Sequence, residues 1–135
     1  MSRSVELANV KRLLAQDTPA PISVSVTTVN AVAATVDTGY APAPGHSAKL
    51  DGGMNVNDVT ANTTSSKNLA GSLRNLNGTP VVAGATIAGT VGDGALSTAT
   101  FSLSFIAGTL HVTFTPPVAY VGTLNWEVTI IPTLN

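Results

Sequence analysis

The sequence predicts an all-β domain, a Greek-key β-sandwich or small barrel led by one N-terminal α-helical arm. Three observations carry that expectation. Phe101, Leu103 and Phe105 alternate with Thr100, Ser102 and Ser104, and the same period returns in Leu110, Val112, Phe114 and in Leu124, Trp126, Val128, Ile130. A two-residue period is what a strand needs when one face meets a core and the other meets water. Ala107-Gly108 and Pro116-Pro117 separate the three runs, as the turns of a β-meander or part of a sandwich would. The composition agrees: hydrophobic residues are 44% but aromatics only 4%, so the apolar content rests on small and β-branched side chains.

In chain order, Ser4–Gln16 is the one segment with helical character. Ser4 suits an N-cap, Glu6 lies where the helix dipole favours a negative charge, and Lys11 and Arg12 lie toward the other end. Leu7, Val10 and Leu14 recur at helical spacing, with Leu13 widening the stripe. About three turns of helix are marginal alone in water, so the stripe must dock, either on its own β-domain or on a neighbouring subunit. The expected organisation is a helix over 1–17, a Pro-rich linker over 18–21 and a β-domain over 22–135.

Ile22, Val24 and Val26 alternate with Ser23, Ser25 and Thr27 as a first strand, and Ala31–Val36 reads as a second after a turn at Asn30. Thr38–Ser47 carries Gly39, Pro42, Pro44 and Gly45 and predicts a long surface loop, with Tyr40 and His46 as contact candidates. Asp51-Gly52-Gly53 reads as a turn, and 54–66 as an edge strand or loop. Leu69, Gly71 and Leu73 predict a strand running into the Asn77-Gly78 turn, with a short helix over Ser66–Leu76 as the alternative. Val81–Val91 predicts another strand, in which Gly84 and Gly89 mark bulges or close backbone approach. Gly92-Asp93-Gly94 is the next turn.

Charged residues are 10% of the chain, against ~25% in typical soluble domains. So little charge guards poorly against association, and points to a chain covered by partners or by its own copies. A net charge of −1 without clustered Lys and Arg offers nothing to nucleic acid. No cysteine is present, so disulfides and thiolate chemistry are excluded. No secretory leader and no run near the ~20 apolar residues of a membrane span is seen, so synthesis in a cytoplasm and no membrane partner are expected.

Catalytic chemistry finds little support. His46 and His111 share no ligand spacing. Asp51, Asn55, Asn57 and Asp58 offer oxygens at intervals that hint at calcium, but without the glycine placement and terminal Glu of an EF-hand loop. Asp37, Asp51, Asp58 and Asp93 fall in predicted turns, and Glu127 lies on a strand's wet face beside Trp126, the expected core anchor of the last strand. No nucleophile elbow, P-loop or dinucleotide fingerprint occurs. The expectation is no enzyme, no cofactor and no metal.

The stretch Leu69-Ala-Gly-Ser-Leu-Arg-Asn-Leu-Asn-Gly-Thr-Pro-Val-Val-Ala-Gly-Ala-Thr-Ile resembles the strand-turn-strand of immunoglobulin-like or prealbumin-like repeat modules. The ending Tyr120-Val-Gly-Thr-Leu-Asn-Trp-Glu-Val-Thr-Ile is similar to the closing strand of such domains in phage and bacterial surface proteins. With its size and one amphipathic helix, the chain resembles tailed-phage virion proteins, head decoration (cement) proteins above all. The resemblance implies a virion structural protein that stabilises neighbouring capsid subunits by interface burial. It implies a homo-oligomer, a trimer first, with the major capsid protein or another virion protein as partner. The interface candidates are Leu7, Val10, Leu14, Tyr40 and His46. A tail, neck or fibre-base component is the first alternative, and a surface carbohydrate- or receptor-binding module the second.

Overall fold

A computed structural model describes residues 20–134. The helix predicted over 1–17, with Leu7, Val10 and Leu14, lies outside the described residues. Eight strands follow in order: β1 Ile22–Val29, β2 Ala34–Asp37, β3 His46–Asp58, β4 Thr63–Asn75, β5 Val81–Gly92, β6 Thr100–Ile106, β7 Thr109–Thr115 and β8 Thr123–Leu134. One 3-10 turn, Gly94–Leu96, precedes β6. Every pairing is antiparallel. One sheet has the order β1-β8-β3-β4-β5 and the other β2-β7-β6. The domain is therefore all-β, and its two sheets stay open instead of closing into the small barrel held as an alternative.

The alternating runs deliver the core. Leu124, Trp126, Val128 and Ile130 of β8 meet Leu110, Val112 and Phe114 of β7 and Phe101 of β6, all with at most 2% of their surface exposed. The Phe114 and Trp126 rings lie 5.3 Å apart at a 50° tilt, one from each sheet, so the aromatic contact marks where the layers meet. The indole N–H of Trp126 donates to the Thr28 hydroxyl at 2.7 Å, which gives both buried polar groups a partner.

Several expectations need correction. Of the two readings of the three C-terminal runs, the single meander fails and the two-sheet one stands: β6 and β7 make a hairpin through Ala107-Gly108, both at positive φ, but β8 crosses to the other sheet and lies between β1 and β3. Ala31 belongs to the turn after β1, and the second strand is only Ala34–Asp37. Asp51-Gly52-Gly53 is no turn. It lies in the middle of β3, between β8 and β4, and a Cβ on Gly52 would run into the Thr129 carbonyl oxygen. Gly52 also sits at φ +151°, so the glycine serves close strand packing. Residues 54–66 are likewise not an edge: they finish the central strand β3, turn at 59–62 and open β4. The strand reading of Leu69–Leu73 holds over the helical one, and β5 slips register beside both Gly84 and Gly89.

Register fixes which loops share an end. Val29 pairs with Thr123, Asn57 with Asn125, Asp58 with Thr63 and Ser65 with Gly92. The β1–β2 turn, the β3–β4 turn, the β5–β6 connection and the β7–β8 loop thus gather at one end of the domain. Ile22 and Leu134, which open β1 and close β8, both lie at the other.

Candidate interaction surface

The four gathered loops have an unusual content. Asn30–Ala33, Val59–Asn62, Asp93–Ala99 and Pro116–Gly122 together hold one charged residue, Asp93. Valines take the outward positions instead. Val29, Val32, Val59, Val91, Val118 and Val121 all lie on or beside these loops, with exposures from 57% at Val29 to 96% at Val118.

Hydrogen bonds hold the loops to one another. Asn30 N–H donates to the Gly122 carbonyl at 2.7 Å, and Gly122 N–H returns a bond to Asn30 Oδ1 at 3.2 Å. Asn30 reaches this position at φ +57°, a conformation asparagine tolerates better than most residues. The Tyr120 hydroxyl donates to the buried Asp58 carboxylate at the end of β3, and Asp58 Oδ1 accepts the Ala61 N–H at 3.0 Å. Asp93 pairs both ways with Thr64: its Oδ2 accepts the Thr64 N–H and its own N–H donates to the Thr64 carbonyl, each at 2.8 Å. Of the two carboxylates of this end, Asp58 is buried against its donors and Asp93 is exposed, with one oxygen bonded to the Thr64 N–H.

The titration shifts follow from that arrangement. The Tyr120 hydroxyl bond, helped by the Ala61 N–H, holds the Asp58 carboxyl below its usual value. Burial first, and the adjacent Asp58 second, push the Tyr120 phenol up to about 12. Both shifts favour the hydrogen-bonded pair of neutral phenol and charged carboxylate. The Pro116–Gly122 loop is in addition anchored by buried Pro116 and Pro117 and by a bond from Tyr120 N–H to the Pro117 carbonyl at 3.1 Å. The result is a hydrogen-bonded, charge-poor, methyl-rich end. Burial of each such valine side chain against a partner would contribute roughly 1.5–3 kcal/mol before association costs. Depletion of charge is also what separates the core of a protein interface from ordinary surface.

The contact candidates named from sequence lie elsewhere. Tyr40 is half-buried and packs against the core instead of standing exposed, with its carbonyl accepting the Leu110 N–H at 2.8 Å; burial pushes its phenol up. His46 is exposed, opens β3 opposite Asn75 and donates its backbone N–H to Ala43 at 3.1 Å, at the end away from the valines. Leu7, Val10 and Leu14 fall outside the described residues. His111 has a carboxylate near it after all: β2 places Asp37 opposite, 3.9 Å from His111 Nδ1. Asp37 is held low chiefly by the Gly39 N–H at 2.8 Å. The possible calcium ligands do not converge, because Asp51, Asn55 and Asn57 run along the extended β3 while Asp58 turns to the buried side. Among the described residues no group of three or more His, Cys, Asp or Glu could hold a metal ion, and no helix is long and apolar enough to cross a membrane. The valines sit among Pro, Gly and Asn, where turn chemistry masks an apolar surface. Apolar residues inside turn chemistry, as in Pro-Pro-Val-Ala-Tyr-Val-Gly, were the signal that could have found them.

Comparison with solved structures finds this fold again in part of a larger molecule. The tailspike protein of Acinetobacter baumannii phage AM24 matches with a TM-score of 0.52 at 8% identity, over 85% of this chain and 26% of that one. The tailspike protein of Acinetobacter phage vB_ApiP_P1 matches with a TM-score of 0.40 at 12% identity, over 82% of this chain and 22% of that one, too remote to argue from. The chain thus spans about a quarter of the tailspikes it matches. What is shared with the first is the fold. No protein-family model matches the sequence, and no curated protein does.

Proposed function

We propose that this chain is a structural β-domain of a phage virion, a tail, fibre-base or tailspike-type component that attaches through its valine-tipped end to another virion protein. The single observation that carries the reading is that end: six exposed valines on or beside four loops that hold one charged residue, Asp93, itself hydrogen-bonded to the Thr64 N–H. The fold it shares with a segment of a phage tailspike favours the tail or fibre alternative over head decoration, which had been the first expectation from the sequence. The action is mechanical, by burial of apolar area between subunits, and not catalytic. The carboxylates outside the valine end support this. Asp51 sits 3.6 Å from Lys49 on the surface, Asp37 accepts the Gly39 N–H, and Glu127 lies on the exposed side of β8.

The test is incorporation. Virions assembled with the Val118→Asp/Val121→Asp variant should contain at least tenfold fewer copies of the chain than those with the native one, while its thermal unfolding stays unchanged. Antibody labelling should place the native chain on the tail. Normal incorporation of the variant would sink the reading, and label confined to the head would restore decoration.

A further inference from the structure

β5 is the outer strand of the five-stranded sheet, paired with β4 on one side only among the described residues. An edge strand exposes a row of unpaired N–H and C=O groups, and proteins usually guard it with charge, proline, short length or a bulge. β5 is twelve residues long, Val-Val-Ala-Gly-Ala-Thr-Ile-Ala-Gly-Thr-Val-Gly, with no charge and no proline. All but Val82 and Ile87 are exposed. Its two register slips are the only guard present among the described residues, and their placement is informative. Gly84–Ala88 pairs without interruption with Asn68–Ser72; the extra residues fall at Ala83 and at Gly89-Thr90. Gly89, at φ +73°, has the left-handed backbone that such a bulge requires. Ala83 and Gly89 each lie three residues from Thr86.

We propose that β5 is the seam of a two-fold antiparallel pair with a second copy of this chain, centred on Thr86, which joins two five-stranded sheets into one of ten strands. Residues directly opposite in an antiparallel pair share a face, so the two-fold sets Thr86 against Thr86, Ala85 against Ile87, Gly84 against Ala88 and Ala83 against Gly89. Thr–Thr is a favourable cross-strand pair, and the flanking pairs each combine a small side chain with one it can accommodate. Each bulge then meets the partner's bulge, so the local twist that would turn the edge away from a flat strand is matched by its mate. A two-fold contact requires this self-complementarity, and an unrelated strand would not share the spacing of the slips. The seam is separate from the valine end and holds whether or not that end docks on a virion protein.

Sedimentation equilibrium of the full chain tests it. Thr86→Lys brings two like charges together at the axis, so the native mass should halve while thermal unfolding is unchanged. In this cysteine-free chain, Thr86→Cys should form an intermolecular disulfide under mild oxidation, because opposite Cα atoms lie about 4.5–5.5 Å apart, within bridging range. Ser102→Cys, exposed on the other sheet, should not. An unchanged mass in a folded Thr86→Lys variant, a monomeric native chain, or equal cross-linking by the two cysteine variants would each overturn the proposal. If Thr86→Lys fails to fold, the cysteine pair decides.

Discussion

The Tyr120 hydroxyl donates to the Asp58 carboxylate and so ties the β7–β8 loop to the end of β3. The two residues are 62 positions apart, and the bond joins two of the loops that carry the exposed valines.

Both ends of the pH scale should release that clasp. Asp58 is held below its ordinary 3.8, so its contribution is present above that value and is lost as pH falls through the depressed one. Tyr120 is raised from 10.0 to about 12, so its contribution is present below 10 and is lost as pH rises across that interval. Native chain should exceed Tyr120→Phe in urea-unfolding stability by a constant margin between about pH 5 and 9, and the margin should shrink beyond both limits. A margin unchanged up to pH 12 would show that the hydroxyl bond contributes nothing.

Thr28→Val keeps the shape of β1 but removes the acceptor of the buried Trp126 N–H. Leaving that donor unpaired should cost about 1–3 kcal/mol, and Thr28→Ser, which retains the hydroxyl, should cost less. Denaturant titrations of the three proteins measure both values. Equal losses for Val and Ser would point to packing, not the hydrogen bond.

Gly52→Ala should destabilise by more than about 1 kcal/mol, since the new methyl meets the Thr129 carbonyl in the middle of the sheet and the backbone is at positive φ. Gly94→Ala, with nothing within 4 Å of its Cβ, should stay within about 0.5 kcal/mol of native. Similar melting temperatures for the two variants would mean that β3 and β8 can part at Gly52 without loss.

Much of the architecture was legible because it depends on neighbours in the chain. The faces of β6, β7 and β8 follow from side-chain alternation, and Leu124, Trp126, Val128 and Ile130 are all buried as their parity requires. Asn77-Gly78 turns where that dipeptide should, with Gly78 at φ +91°. Features that depend on distant residues were not legible. Alternation says which way Trp126 faces but not that its neighbours are Val26 and Val56, so it leaves open whether β8 continues the β6–β7 hairpin or joins the other sheet. Gly52 looks like turn chemistry until β8 is laid beside it. Tyr40 sits in a Pro- and Gly-rich stretch, yet its ring reaches the core because the Tyr40 carbonyl is bonded to Leu110. The valine end emerges only once four loops from separate parts of the chain are brought together, and no local pattern encodes that convergence.

The placement of the start of β1 and the end of β8 sets how the strands answer to force. Ile22 and Leu134 lie at the same end, on neighbouring antiparallel strands whose ladder runs from Ile22–Ile130 to Val29–Thr123. Tension drawn between the two ends would peel β1 from β8 one rung at a time, the weak direction for a ladder. Tension drawn from both ends toward the valine tips runs along the strands and loads many rungs at once in shear. A sheet held at Ile22 and Leu134 and gripped by its valine tips is therefore stiff along the line of pull and gives way only when β1 and β8 are drawn apart.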